Sequence, residues 1–201
     1  MKNADFSFKD ISETKVDSPQ REVESVDRKV ERIENPEYNS TYKERIDRTP
    51  SSIEQGTWEG ERGESNFRPS SPEALEKMDE LGVDSIPYRN GIVDFSDVAK
   101  ESVKIDMVDY RQGKGGNFEQ CDTRLAEKWN NEGFAGKTDW SPRDIADWRK
   151  ENSYTWHERN DMKTCDLVPT SIHESCRHLG GVAECKRESM NTIGKERIFD
   201  D

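Results

Sequence analysis

Histidine is the scarcest functional side chain in this chain: three in 201 residues. Apolar residues are also thin, at 30% against 37% charged, with a mean hydropathy of −1.13. That balance predicts a substantial segment with no core of its own. No apolar run approaches the roughly 20 residues needed to span a bilayer, which excludes a membrane helix and a membrane partner. The first residues, Met1-Lys2-Asn3-Ala4-Asp5-Phe6, lack the apolar centre of a Sec-type signal. The expected location is therefore the producer's cytoplasm, or export by a specialised system that needs no such signal. The four cysteines (Cys121, Cys165, Cys176, Cys185) form no C-x-x-C pair. They read as reduced thiols acting as small buried apolar groups rather than as a disulfide framework.

Positive charge is short as well. The net charge of −12 argues at first against a nucleic-acid partner. The deficit is uneven: residues 1–53 carry −2, residues 54–101 carry −7 and residues 102–201 only −3. The C-terminal half is nearly balanced, so one basic face is compatible with it.

Residues 1–53 are charge-mixed. Val16, Val23, Val26, Val30 and Ile33 fall at helical spacings, but no partner face accompanies them. The stretch reads as a charged linker, a disordered extension or a lone helix. From residue 54 onward the texture is that of an ordered domain. Trp58 to Ser65 is turn-rich around one aromatic anchor. Ser71-Pro72 through Gly82 predicts a helix with an N-cap, a first-turn proline and a terminating glycine. Asn90-Gly91 between apolar runs signals a hairpin, and Ser102–Met107 alternates as a strand does. Phe118–Trp129 predicts a helix, and Ser141-Pro142-Arg143-Asp144 opens another with a capping box. The tryptophans and Phe118 read as core rather than as ligand-stacking groups.

All three histidines lie within one 22-residue stretch, His157 to His178. Imidazole is the side chain suited to holding a metal or moving a proton near neutral pH. Ser153–Glu158 is β-prone and ends in the pair His157-Glu158. Thr164–Val168 is a second short strand reached through the turn Asn160-Asp161, and Pro169 stops it. Thr170 or Ser171 can then cap a helix running from Ile172 to His178. On an ideal helix His173 and His178, five apart, diverge by about 140°. They share one ion only if the helix ends or tightens before Gly180-Gly181. The H-E-x-x-H zinc-protease motif is excluded, because its second histidine would fall on Asp161.

Trp156-His157-Glu158, Leu167-Val168-Pro169 and His173 to His178-Leu179-Gly180-Gly181 together resemble the HNH/endonuclease VII superfamily. More narrowly, they resemble the Trp-His-His type nuclease domains of bacterial polymorphic toxins. The likeness extends upstream through Trp58–Ser65, Tyr88–Phe95 and Trp140–Tyr154, and leaves residues 1–53 uncovered. It implies an α+β fold: a ββα-metal (HNH) finger at 153–181, within a domain of 54–201, preceded by a small helical and hairpin region. It also implies one divalent ion (Mg²⁺, Mn²⁺ or Zn²⁺), a nucleic-acid substrate with DNA favoured over RNA, and a cognate immunity protein.

The implied activity is metal-dependent phosphodiester hydrolysis by an antibacterial endonuclease toxin. Glu158 departs from the commoner second histidine and leaves the general base open. Either His157 is the base, with His173, His178 and Glu158 holding the ion, or His157 binds the ion and Glu158 is the base. The first is favoured, since neutral imidazole takes a proton near pH 7 better than a carboxylate of pKa about 4.3. Arg177 and Arg159 are candidate phosphate contacts, though either is also an ordinary surface charge. The rival reading is a non-enzymatic zinc module assembled from Cys165, His173, Cys176, His178 and Cys185.

Overall fold

The computed structural model describes residues 38–196, with side chains to residue 190, and these belong to one compact unit. The helix expected within Lys15–Ile33 lies outside the described residues. The architecture is α+β, with antiparallel sheets: β1 (Gly56–Trp58), β2 (Asn66–Pro69), β3 (Ile86–Arg89) and β4 (Ile92–Val93) pair in that order. A second sheet has the order β5-β7-β6, from β5 (Glu101–Lys104), β6 (Tyr154–Glu158) and β7 (Thr164–Pro169). The helices are α1 (Tyr42–Arg48), α2 (Pro72–Leu81), α3 (Asn117–Glu132), α4 (Pro142–Glu151), α5 (Thr170–Ser175) and α6 (Gly181–Glu196). Among the described residues no helix is long and apolar enough to cross a membrane.

Local sequence chemistry accounts for most of these boundaries. The Ser71 hydroxyl accepts the Ala74 amide at 3.3 Å, and Gly82 ends α2 in the left-handed region at φ 69°. Asn90 and Gly91 both have positive φ, 53° and 71°, which suits the two-residue turn joining β3 to β4. Ser141 and Asp144 cap α4 reciprocally. The strand expected over Ser102–Met107 is shorter and pairs over Glu101–Lys104.

The order begins earlier than residue 54. Helix α1 falls inside the stretch read as linker, and Ser40 and Arg45 are buried. The Ser40 amide and hydroxyl donate to the Glu184 carboxylate at 2.8 and 2.5 Å. Arg45 donates to the carbonyls of Asn90 and Ser40 at 2.7 and 2.6 Å. This attachment is polar, so apolar periodicity does not reveal it.

Two apolar clusters flank the β6–β7 hairpin. One gathers Phe67, Met78, Tyr88, Phe95, Val168 and Ile172. The other gathers Leu125, Trp129, Ile145, Trp156, Cys165 and Leu167. Successive strand side chains point to opposite faces, so neighbours along the hairpin enter different clusters. Trp156 enters the second, where its indole N–H donates to Asp122 at 2.8 Å, and Asp122 is gripped twice by Arg149 at 2.7 Å. His157 therefore faces the opposite way, toward Phe95.

Candidate functional site

The hairpin and the short helix after it bring the three histidines together. β6 and β7 pair with His157 opposite Asp166, and α5 follows directly with Pro169 at its N-cap. Neither Thr170 nor Ser171 caps it, since the helix starts at Thr170, two residues earlier than the sequence suggested. α5 ends at Ser175, three residues before His178. The 140° divergence therefore never arises: His178 lies on the irregular segment after the helix and turns back.

The ligand-capable atoms of His157, His173 and His178 all lie within 4.8 Å of one another. Their ring centroids are 4.7 to 5.6 Å apart, and Phe95 touches all three at 4.8 to 5.7 Å. Gly180 and Gly181 let the chain close over the site. A side chain at Gly180 would press on the Glu158 carbonyl at 3.1 Å, and one at Gly181 would collide with the Arg159 carbonyl.

The donor set suits a cation. Nδ1 of His157 and Nε2 of His173 are buried without a hydrogen-bond partner, a costly arrangement unless something accepts their lone pairs. Nδ1 of His178 lies 2.7 Å from the Cys176 carbonyl. That contact requires the proton on Nδ1 and leaves Nε2 as a lone-pair donor. Burial holds the pKa of His157 well below its ordinary value, and the neighbouring histidines and two arginines add to the effect. His173 is depressed to about 3 by burial, His178 and Arg111. His178 is depressed to about 4 by burial and Arg111, against the Cys176 carbonyl. All three are neutral near pH 7, the state in which imidazole binds metal.

Glu158 is not in this group. Strand alternation sends it to the face opposite His157, where it is buried and accepts Arg111 Nε at 3.0 and 3.1 Å. Asn117 approaches it at 3.4 Å. Arg159 is committed to Asp166, at 2.5 and 2.8 Å. Arg177 is exposed, and among the described residues only its carbonyl has a partner, the Tyr88 hydroxyl at 3.1 Å. The cysteines of the zinc-module reading stay apart: Cys165 and Cys176 lie in the two apolar clusters, and Cys185 reaches the Met107 carbonyl at 3.8 Å. Among the described residues the metal-capable group is made of histidines alone. Sequence reading missed Arg111 and Phe95. Arg111 stands 47 positions before its partner, and no local pattern links the two.

No curated protein and no solved structure matches the chain. Residues 85–180, which contain the hairpin, the histidines and Arg111, are similar to one protein family, described as the DNase/tRNase domain of colicin-like bacteriocin, and that likeness supports a toxin nuclease domain.

Proposed function

We propose that residues 85–180 and their surroundings form a metal-dependent endonuclease of the HNH type, built on a ββα-metal finger in which β6, β7 and α5 present the ligands. The observation that carries this reading is the set of three mutually facing histidines, one buried and two half-buried, two of them with orphaned buried ring nitrogens. His157, His173 and His178 would hold one divalent ion, and three protein ligands leave a position open, as catalytic sites do and closed structural zinc sites do not. When bound, the ion supplies Lewis-acid stabilisation of the charge that builds on the phosphate. His157 is then a ligand and no longer free to act as the base. Glu158, on the other face of the strand, acts through Arg111, which it holds at the border of the site. Arg177, exposed beside His178, meets a phosphate oxygen, whereas Arg159 is occupied by Asp166.

Nucleic acid is the substrate, with DNA favoured over RNA, and an immunity protein in the producing cell is the expected partner; the matched family is described by both DNase and tRNase domains, so the assay carries both substrates. The test is cleavage of supercoiled plasmid and, separately, total RNA, with Mg²⁺, Mn²⁺, Zn²⁺ or a chelator. His157→Ala, His173→Ala and Glu158→Gln proteins, verified as folded, run alongside. Metal-dependent cutting lost in both histidine variants and weakened in Glu158→Gln supports the assignment and names the substrate. No cutting with any metal, together with tightly held Zn²⁺, overturns it in favour of a non-enzymatic zinc module.

A further inference from the structure

A pocket of about 290 Å³ opens on the α3–α4 side of the hairpin, between residues 111–113 and the starts of α3 and α4. Its lining includes Arg111, Phe118, Glu119, Asp122, Arg143 and Arg149. Three guanidinium groups, one from the segment before α3 and two from α4, thus converge on one concavity outside the hairpin and α5.

Two of these arginines are held by buried carboxylates. Arg149 places Nε and Nη2 on Asp122 and lies 5.2 Å over the Phe118 ring, which leaves its Nη1 without such a commitment. Arg111 places only Nε on Glu158, so both of its Nη groups remain. Arg143 stands at the start of α4 with its side chain 91% exposed and only a 3.8 Å contact to Asp147. The acids on the wall are occupied: Asp122 as described, and Glu119 by the Gly115 amide at 2.5 Å. A guanidinium fixed along one edge presents its remaining N–H groups without further loss of side-chain freedom. Its planar fork matches two oxygens of a phosphodiester.

We propose that this pocket is a subsite for the phosphodiester backbone of the bound strand, next to the phosphate being cut, with Arg111 shared between the two. The proposal rests on the nuclease reading. Arg111 bonds Glu158, the residue that follows His157. It therefore borders both sites. Arg143 and Arg149 lie on α4, which ends three residues before β6, so the subsite and the hairpin are rigidly joined through the Asp122–Trp156 bond.

Binding is measured by fluorescence anisotropy in chelator with labelled duplex DNA, single-stranded DNA and an RNA hairpin, across a salt series. The proteins are wild type, Arg143→Glu, Arg111→Gln and, as a charge control, Arg68→Glu on β2, each first shown to melt cooperatively. The expected result is weaker binding for Arg143→Glu and Arg111→Gln. The slope of log Kd against log salt falls by about 1 per arginine removed, while Arg68→Glu matches wild type. The probe that loses most identifies the natural strand. In plasmid cleavage Arg143→Glu raises KM and leaves kcat in place. Wild-type affinity and salt slope in both pocket variants overturn the subsite, and cleavage that persists in that case keeps the nuclease reading. Arginine-dependent binding without cleavage under any metal overturns the nuclease reading and supports the pocket as a nucleic-acid site.

Discussion

Removing Arg111 isolates the least expected contact in the structure. Glu158 has 1% of its side chain exposed and Arg111 49%, and the two meet at 3.0 Å. Without Arg111, the buried carboxylate retains Asn117 at 3.4 Å as its remaining side-chain donor. Stranding one partner of a fully buried ion pair costs about 3–5 kcal/mol. Because Arg111 stands half in water, solvent reaches the space it leaves, and the cost for Arg111→Ala falls to about 2–3 kcal/mol. Glu158→Gln keeps an acceptor for Nε and removes the charge, at about 1 kcal/mol. The double variant should therefore be at least as stable as Arg111→Ala alone, with a coupling of about 1–2 kcal/mol. Urea denaturation of the four proteins measures this. An Arg111→Ala protein within about 0.5 kcal/mol of wild type refutes the pairing. Calorimetric Zn²⁺ titration of Glu158→Gln checks the companion point: affinity should hold, and a loss beyond about tenfold would place the carboxylate on the ion.

His173→Ala should abolish the rise in melting temperature that Zn²⁺ gives the wild type, since binding to the folded state alone is what stabilises it; an undiminished rise refutes the three-histidine site. In the metal-free protein, stability should be full above pH 6.5. It should decline as pH falls toward the folded-state values of about 4 for His178 and about 3 for His173, because the unfolded chain binds the extra protons. The slope is about 1.4 kcal/mol per pH unit for each histidine titrating, and a flat urea midpoint between pH 7 and 5 contradicts it. Trp156→Phe deletes the indole donor to Asp122, which keeps both Arg149 bonds; a loss of about 1 kcal/mol is expected by thermal melting. Glu184→Ala removes the acceptor of the Ser40 amide and hydroxyl and one of the two acceptors of the Asn160 side-chain amide. It should cost about 2–4 kcal/mol and speed tryptic cleavage at Arg45 and Arg48, and unchanged proteolysis contradicts the anchoring of α1.

The elements with purely local causes were legible in the sequence. Ser71 and Gly82 bound α2, Asn90-Gly91 turns the β3–β4 hairpin, Ser141 and Asp144 start α4, and the order of His157, Pro169, His173 and Gly180-Gly181 marks the site. Each depends on neighbours within a few residues, so composition and spacing suffice. What the sequence left open was settled by packing across long separations. The early end of α5 turned His178 toward His157 and His173, a choice that residue spacing alone leaves ambiguous. Alternation on β6, with Trp156 drawn into the core around α3, placed His157 among the histidines and Glu158 on the other face. The pairing of β5 with β7, the grip of Arg111 on Glu158 and the Ser40–Glu184 anchor join residues dozens of positions apart. Side-chain chemistry determined which groups can hold a metal or a phosphate. Only the closure of the chain, which fixes the face each strand residue takes, decided which of those groups meet.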